Sequence, residues 1–516
     1  EILRASDQSI LATTTTDGTD GRYSAAVTSA PFIVRVKAQL RKAGAGGYDF
    51  EVRNNTSGNA LYSLDSATVT PASSAVTVDL NAPTGWSGAS YTGPRAAAPF
   101  AILAMLWEAR SLIHGVEPGV TMAAVDVYWS PLNNSADCDG QPNPVTGAIG
   151  TTFFLNGTIP ATGRCPATTR GIYVLGDANG TADDDADEFD SSVIAHEFGH
   201  YFEWALSRSD SLGGPHSLGD RHDLTLAFSE GWGNAFQGFV LDDAVYRDTF
   251  GTAGSSSFWF DMENNSAPFQ NLVETSWYAE AAVHEILWDV YDAPASDDDQ
   301  IRLGYGPIHQ VMRQDMPATD ALTSIYVMRT GLEERNPGQA NAIGLRMEAD
   351  RVFGTSDFGI NEASSVASNN WPADPFAVPV YRVPQFGVAQ SIVSVNTFAD
   401  GGDTLFQSYN RLGSRRYMKI ALDASGGLSV RAVGPSNSDP DLVLYRKGEV
   451  VGISESAVDG VEEATFPGLG PGTYILEVAE CSYLGELSCP GETPYQDPDT
   501  GTQEARIEVT VGVTQP

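Results

Sequence analysis

The chain has 516 residues, with 66 acidic against 29 basic side chains and a net charge of −37 at pH 7. A surface this acidic repels nucleic acid and anionic lipid, so neither is expected as a partner. No apolar run reaches the roughly 20 residues that a membrane-spanning helix needs. The length predicts about two to four domains.

Residues 1–95 have the pattern of β structure. Short β-rich runs such as PFIVRVKAQL and GYDFEVRNN alternate with Asp-Gly and Gly-Gly turns. We predict a β-rich accessory domain here, immunoglobulin-like or transthyretin-like, with a structural or binding role. The chain opens with EILRASDQSI and shows no signal peptide, so we expect the processed form of a secreted protein.

From residue 96 the pattern changes to alternating helices and strands. PFAILAMLWEARSLI (99–113) predicts a buried helix, and strands are predicted at 122–130, 151–158 and 171–177. The acidic segment GDANGTADDDADEFD follows the last of these strands. Calcium selects hard oxygen ligands, so the segment offers candidate calcium ligands, although a mobile acidic loop that disfavours acidic substrates is the alternative. These candidate calcium ligands are Asp177, Asp183, Asp185 and Asp187.

The helical pattern SVIAHEFGHYFE (192–203) places His196 and His200 four residues apart on one helix face. Two imidazoles at this spacing can bind one metal ion. Glu197 lies beside the first of them, where it can take a proton from a water on the metal without being a ligand. We therefore predict a catalytic zinc site. Two unrelated surface histidines are the alternative, but only seven His occur in the chain.

A catalytic zinc needs a third protein ligand, and Glu230 is the predicted one. It lies in LAFSEGWGNAF (226–236), an apolar helical stretch, whereas the metzincin extension would need Gly and His at the positions of Glu203 and Leu206. A helix holds a ligand more precisely than a flexible loop does. The rival ligands all lie in the Gly-rich segment that joins the two helices: His216, Asp220, His222 and Asp223.

A third helix is predicted within SWYAEAAVHEILWDVYD (276–292), where His284 shares an aromatic face with Trp277 and Trp288. A histidine on such a face is commonly a core residue. Further helical segments complete a catalytic domain over residues 96–370.

Pro-rich sequence at 371–384 predicts a linker with few contacts, so a chain ended after Asp374 is expected to stay folded and active. Residues 385–516 again contain β-rich runs, which predict a C-terminal β-sandwich. The expected fold class is α+β multidomain, a catalytic domain flanked by two β domains.

The four cysteines fall into two local pairs, Cys138 with Cys165 and Cys481 with Cys489. Neither pair has the C-x-x-C spacing of zinc ribbons or redox motifs. Two disulfides in a secreted protein are therefore predicted, and four buried thiols in a cytosolic protein are the alternative.

The succession of HEFGH, SEGWGNAF and YAEAAVHEILWDVYD resembles the gluzincin clan of zinc peptidases, and within it the fungalysin type. The resemblance covers roughly residues 100–350. It implies an upper α/β lobe and a lower helical lobe with the cleft between them. The clan's supporting Asp, four residues after the ligand Glu, is Asn234 here, whose side-chain oxygen can accept a hydrogen bond from a His ligand.

The same resemblance implies further roles. In gluzincins the strand before the HExxH helix commonly pairs with an extended substrate, which makes GIYVLGD (171–177) a candidate for strand addition. A buried central strand would have the same pattern. AAVH resembles the step that precedes the transition-state histidine of thermolysin-like relatives, so His284 is the first candidate to stabilise the oxyanion and Tyr278 the second.

The C-terminal sequence DPDLVLYRKGEVV, followed by LGPGTYILEV, resembles the bacterial pre-peptidase C-terminal domain of secreted peptidases. Asp439 and Asp441 lie where some such domains bind calcium. A Pro-Asp turn before a strand is equally a structural feature, so no ligand is assigned there.

The expected function is secreted, zinc-dependent endopeptidase activity on protein or peptide substrates by a monomer. Zinc activates a water, and Glu197 takes its proton and passes it to the leaving amine. One alternative is a catalytically silent zinc protein of the cell surface, in which the β domains act in adhesion. The other is an exopeptidase of the same clan, although the GxMEN-type stretch that anchors the substrate amine is missing.

Overall fold

A computed structural model forms two compact units, Glu1–Tyr201 with Arg247–Trp259, and Phe202–Tyr246 with Phe260–Pro516. The division between them falls within one helix, α2 (Ser191–Leu206). The structure describes residues 1–17, 20–179, 184–264, 266–267, 270–271, 276–292, 301–350, 352, 374–378, 380–396, 409–458, 460–484, 489, 493–498 and 500–514.

Among the described residues ahead of α2, the first unit has ten strands in two sheets. Their orders are β2-β1-β3-β7 and β4-β5-β8-β10-β9, and β6 pairs with β5. In the smaller sheet, Ile2, Phe32 and Val34 form a core on one face. The strands are β1 (Ile2–Arg4), β2 (Ile10–Ala12), β3 (Phe32–Lys37), β4 (Gln39–Lys42), β5 (Tyr48–Asn54), β6 (Ala60–Leu61), β7 (Ser63–Asp65), β8 (Val125–Trp129), β9 (Phe153–Leu155) and β10 (Gly171–Val174).

The larger sheet crosses the domain boundary expected at residue 95. β5 pairs in parallel with β8, and β8 pairs in parallel with β10. Phe50 and Val52 of β5 are fully buried, and the Phe50 ring contacts Phe198 of α2 at a centroid distance of 5.7 Å. Strands from the predicted accessory domain are therefore part of the sheet that supports α2.

The predicted helix at 99–113 is confirmed as α1 (Ala98–Val116). Pro99 lies in its first turn, where a missing backbone N–H leaves no helical hydrogen bond unmade. Ile102, Leu106 and Ile113 are fully buried at helical spacing, which gives the helix one apolar face toward β5.

The second unit begins with the last turn of α2 and continues into a helical region. Its helices are α3 (Leu224–Leu241), α4 (Glu280–Tyr291), α5 (Tyr305–Gln310), α6 (Ile325–Arg335) and α7 (Ala340–Ala349), with a π-helical segment (Val311–Asp315) after α5. Four strands lie between α3 and α4: β11 (Val245–Phe250), β12 (Ser256–Asp261), β13 (Ser266–Ala267) and β14 (Gln270–Asn271). The part of them within Arg247–Trp259 belongs to the first unit.

α3 packs closely against α4, because Gly231 of α3 has no side chain. A Cβ atom there would lie 2.4 Å from the Cβ atom of Val283 on α4. A side chain at this position would force the two helices apart.

The C-terminal region is a β-sandwich, as predicted. Its two sheets have the orders β15-β17-β22-β19-β20 and β16-β23-β18-β21, and side chains from both form one apolar core. The strands are β15 (Tyr381–Arg382), β16 (Ala389–Val395), β17 (Arg415–Leu422), β18 (Gly426–Val433), β19 (Pro440–Arg446), β20 (Glu449–Ser454), β21 (Val461–Leu469), β22 (Gly472–Glu480) and β23 (Glu504–Thr514).

The second unit joins this sandwich to the segment between α2 and α3. Asn410 donates hydrogen bonds to the carbonyls of Gly213 (2.9 Å) and Pro215 (3.0 Å), and the hydroxyl of Tyr417 donates to Asp223 (2.9 Å). The linker was expected to separate two parts that share few contacts. These hydrogen bonds contradict that premise.

Both predicted disulfides are formed, Cys138 with Cys165 and Cys481 with Cys489. None of the helices in the described part of the chain combines the length and the apolar composition that crossing a bilayer requires.

Candidate metal centre

His196 and His200 project from one face of α2. Their Nε2 atoms lie 3.0 Å apart, and the two rings meet nearly edge to face. Two nitrogen ligands of a tetrahedral zinc lie about 3.3 Å apart, given Zn–N distances of about 2.0–2.1 Å. The histidine pair therefore has the spacing of two ligands to one ion.

Glu230 lies on α3, where it is buried at 6% exposure. Within the second unit it forms a group with His216 and Glu280, in which one ligand atom from each can be chosen so that all three lie within 4.8 Å of one another. The neighbouring Ser229 hydroxyl donates to Glu203 in the last turn of α2 at 2.6 Å. This contact helps to set the position of α3 along α2.

Glu197 follows His196 on α2 and is 7% exposed. It lies three residues before His200, so the two side chains share a helix face. A carboxylate at this position is close to the histidine pair. Its role as the general base remains a prediction.

The rival ligand His216 lies beside Glu230, with its Nε2 atom 3.2 Å from the Glu230 Oε2 atom. Burial lowers the pKa of His216, but the charge of Glu230 and a hydrogen bond to it outweigh burial and raise the pKa to about 10. The Glu230 carboxylate therefore favours the protonated imidazole, which donates hydrogen bonds.

The other three rivals have different partners. Asp220 forms an ion pair with Arg411, and Asp223 caps α3 by accepting a hydrogen bond from the Thr225 N–H at 3.0 Å. His222 lies 3.6 Å from Glu280, measured from Nε2 to Oε1, and 3.2 Å from the carbonyl of Ser217.

Glu280 is a buried acidic residue whose importance the sequence analysis missed. It contacts His222 and accepts a hydrogen bond from the Asn234 amide at 3.3 Å. Burial raises the pKa of Glu280, but the hydrogen bond with His222 and the charges of His216 and His222 outweigh burial and lower it. The available signal was a Glu at the start of an otherwise apolar helical run, YAEAAVH.

Asn234 was expected to support a histidine ligand. The structure places its amide nitrogen 3.3 Å from a Glu280 oxygen and 3.3 Å from the Nδ1 atom of His284. Through these two contacts the Asn234 amide links α3 to α4.

The two candidates for oxyanion stabilisation, His284 and Tyr278, are both fully buried. The His284 ring stacks on Phe260, with centroids 4.9 Å apart and planes 5° apart. The Tyr278 ring meets Trp277 edge to face, and its carbonyl accepts a hydrogen bond from the His222 N–H. Both side chains pack as core residues do, and their catalytic roles remain predictions.

The strand predicted to pair with substrate, β10, has partners on both edges. It pairs in parallel with β8 and antiparallel with β9. Strand addition needs a free edge, so β10 is the buried central strand that the sequence analysis left as the alternative.

Two of the four candidate calcium ligands, Asp185 and Asp187, lie in one acidic group with Asp248. Asp177 is joined to this segment through its backbone, since its N–H donates to the carbonyl of Asp185. Asp183 lies outside the described residues.

No protein-family model matches the chain, and no curated protein matches it. Among solved structures, the pre-peptidase C-terminal domain of a collagenase from Bacillus anthracis is 12% identical over 25% of this chain and 93% of that one, with a TM-score of 0.17. PliG from Aeromonas hydrophila, a periplasmic inhibitor of g-type lysozyme, is 13% identical over 26% and 96%, with a TM-score of 0.15. Likenesses with TM-scores this low carry no argument about function.

Proposed function

We propose that this protein is a zinc-dependent endopeptidase of the gluzincin type, in which His196, His200 and Glu230 hold the ion. The observation that carries the proposal is the histidine pair on α2, whose Nε2 atoms lie 3.0 Å apart, the spacing of two ligands to one ion. Glu230, buried on α3, is the third ligand that the sequence pattern favours.

The chemistry of the donor set supports zinc as the ion. Two imidazole nitrogens and one carboxylate oxygen form a set that zinc accepts, and three protein ligands leave a coordination position open for catalysis. Calcium and magnesium prefer sites made of oxygen alone. Zinc bound here would supply Lewis acidity and lower the pKa of a water ligand to about 7.

Glu197 is the proposed general base. It takes a proton from the attacking water and delivers it to the amine that leaves when the peptide bond breaks. Its place on α2, one residue after His196 and three before His200, supports this role, because a general base must lie within reach of the water that it deprotonates.

The proposal also includes secretion, which the two disulfides support. Two disulfides are typical of proteins from oxidising compartments, which supports an extracellular or periplasmic location. The proposal extends to a two-lobed gluzincin catalytic domain with a pre-peptidase C-terminal-like sandwich, acting as a monomer on protein or peptide substrates.

Hydrolysis of an unstructured protein and of a blocked dipeptide, with and without a zinc chelator, tests the proposal. We expect cleavage of the unstructured protein, loss of cleavage with the chelator and recovery when zinc is added back. Cleavage that the chelator leaves unchanged would contradict a metal mechanism. Zinc-loaded protein without any hydrolytic activity would favour the silent zinc protein instead.

A further inference from the structure

Three acidic side chains of the first unit converge on one point. Asp185 and Asp187 lie in the segment before α2, and Asp248 lies on β11. A backbone bridge between Asp185 and Phe250 holds β11 beside this segment. One carboxylate oxygen from each Asp can be chosen so that all three lie within 4.8 Å of one another.

Each of the three carboxylates has a buried oxygen without a hydrogen-bond partner among the described residues: Oδ1 of Asp185, Asp187 and Asp248. Asp187 is only 3% exposed, and its other oxygen accepts a hydrogen bond from the Thr152 hydroxyl. A buried carboxylate oxygen without a donor is costly, so a group of three implies a missing positive partner.

The electrostatic surroundings agree with this geometry. Burial raises the pKa of Asp187 well above its ordinary value, and the charges of Asp185 and Asp248 raise it further. Burial, followed by the charges of Asp185 and Asp190, raises the pKa of Asp248 to about 7. Burial also raises the pKa of Asp185, although a hydrogen bond with the Asp187 side chain opposes the increase. A bound cation would stabilise all three carboxylates in their charged form.

We propose that Asp185, Asp187 and Asp248 bind a calcium ion, which ties the turn before α2 to β11. An all-oxygen set selects a hard cation, and calcium accepts carboxylates together with carbonyls and several waters in a flexible geometry. Magnesium requires nearly ideal octahedral geometry and gives up its waters reluctantly.

A cavity of about 230 Å³ lies beside this group. It is lined by residues adjacent in sequence to the three ligands, among them Asp184, Ala186 and Thr249. The site differs from the sequence-predicted one because Asp248, distant in sequence, joins Asp185 and Asp187.

The inference does not depend on peptidase activity, and calcium binding by the full chain tests it. Calorimetric titration of calcium into chelator-treated protein should show a site in the unaltered chain that is lost, or weakened at least about tenfold, in Asp248→Asn and Asp187→Asn. Asp423→Asn, which removes an exposed charge from the sandwich, should bind calcium as the unaltered chain does.

The same titration can overturn the proposal. Asp248→Asn could bind as many calcium ions with the same affinity as the unaltered chain, or the unaltered chain could bind none. Either result would show that these three carboxylates do not form a calcium site. The Asp187→Asn variant keeps the conclusion independent of any folding defect in a single variant.

Discussion

The carboxylate of Glu230, the proposed third zinc ligand, also belongs to a group of ligand-type side chains with His216 and Glu280. A carboxylate has two oxygens, so Glu230 can offer one to a metal while the other accepts a hydrogen bond from His216. Supporting hydrogen bonds of this kind orient ligands and tune their affinity. The helical pattern around Glu230 favoured this residue as the ligand, but no sequence pattern indicated that His216, its rival in the loop, lies beside it.

Replacing Glu197 by Gln should separate metal binding from catalysis. Gln has nearly the same shape but cannot take up a proton, so we expect the zinc content to be unchanged and kcat to fall by about a thousandfold. Metal analysis and a peptidase assay on the same preparation provide the measurement. Near-full activity would show that Glu197 is not the base.

Replacing Glu230 by Gln should weaken zinc binding much more than replacing His216 by Ala. Loss of a ligand is expected to cost at least about a hundredfold in affinity, and loss of a supporting hydrogen bond about tenfold to a hundredfold. Competition with a chromogenic chelator measures both values. If His216→Ala lost zinc and Glu230→Gln kept it, the third ligand would be His216.

At the scale of elements, helices were more predictable than strand partners. The periodic apolar pattern around HEFGH predicted a helix at 192–203, and α2 spans Ser191–Leu206. The partners of β5 and β10 could not be predicted, because a short apolar strand has the same pattern whether its edges are free or paired. For the same reason, the sequence did not indicate that strands on both sides of residue 95, the expected domain boundary, pair in one sheet.

The close contact between α3 and α4 should depend on Gly231. Gly231→Ala would place a methyl group against Val283, so we expect a loss of about 1–3 kcal/mol in the free energy of unfolding. Urea denaturation measures the change. Gly115→Ala in α1 is the matched control, since a Cβ atom there meets nothing within 4 Å and Ala favours a helix. Equal stability of Gly231→Ala and the unaltered chain would contradict the packing described.

At the scale of the molecule, the C-terminal sandwich is bound to the segment that joins the two ligand-bearing helices. Residues 409–417 hydrogen-bond to Gly213, Pro215 and Asp223, the last of which caps α3. A chain ended after Asp374 would lose all of these contacts. We therefore expect that truncation to destabilise the site, contrary to the expectation from the Pro-rich linker.

A single substitution tests this coupling without removing the sandwich. Asn410→Ala removes both hydrogen bonds to the segment and leaves two carbonyls without their donor, so a loss of about 1–3 kcal/mol in unfolding free energy is expected. Ser391→Ala, at an exposed hydrogen bond in the same sandwich, should change stability by less than about 0.5 kcal/mol. Equal effects of the two variants on urea denaturation would show that the contacts do not couple the parts.

The metal content of the purified chain tests the central claim most directly. We expect mass spectrometry to find one zinc ion per chain after zinc loading and removal of excess metal, and almost none in His200→Ala, which loses one of the paired imidazoles. A chain that takes up no zinc, or a His200→Ala variant that keeps the full amount, would contradict the account.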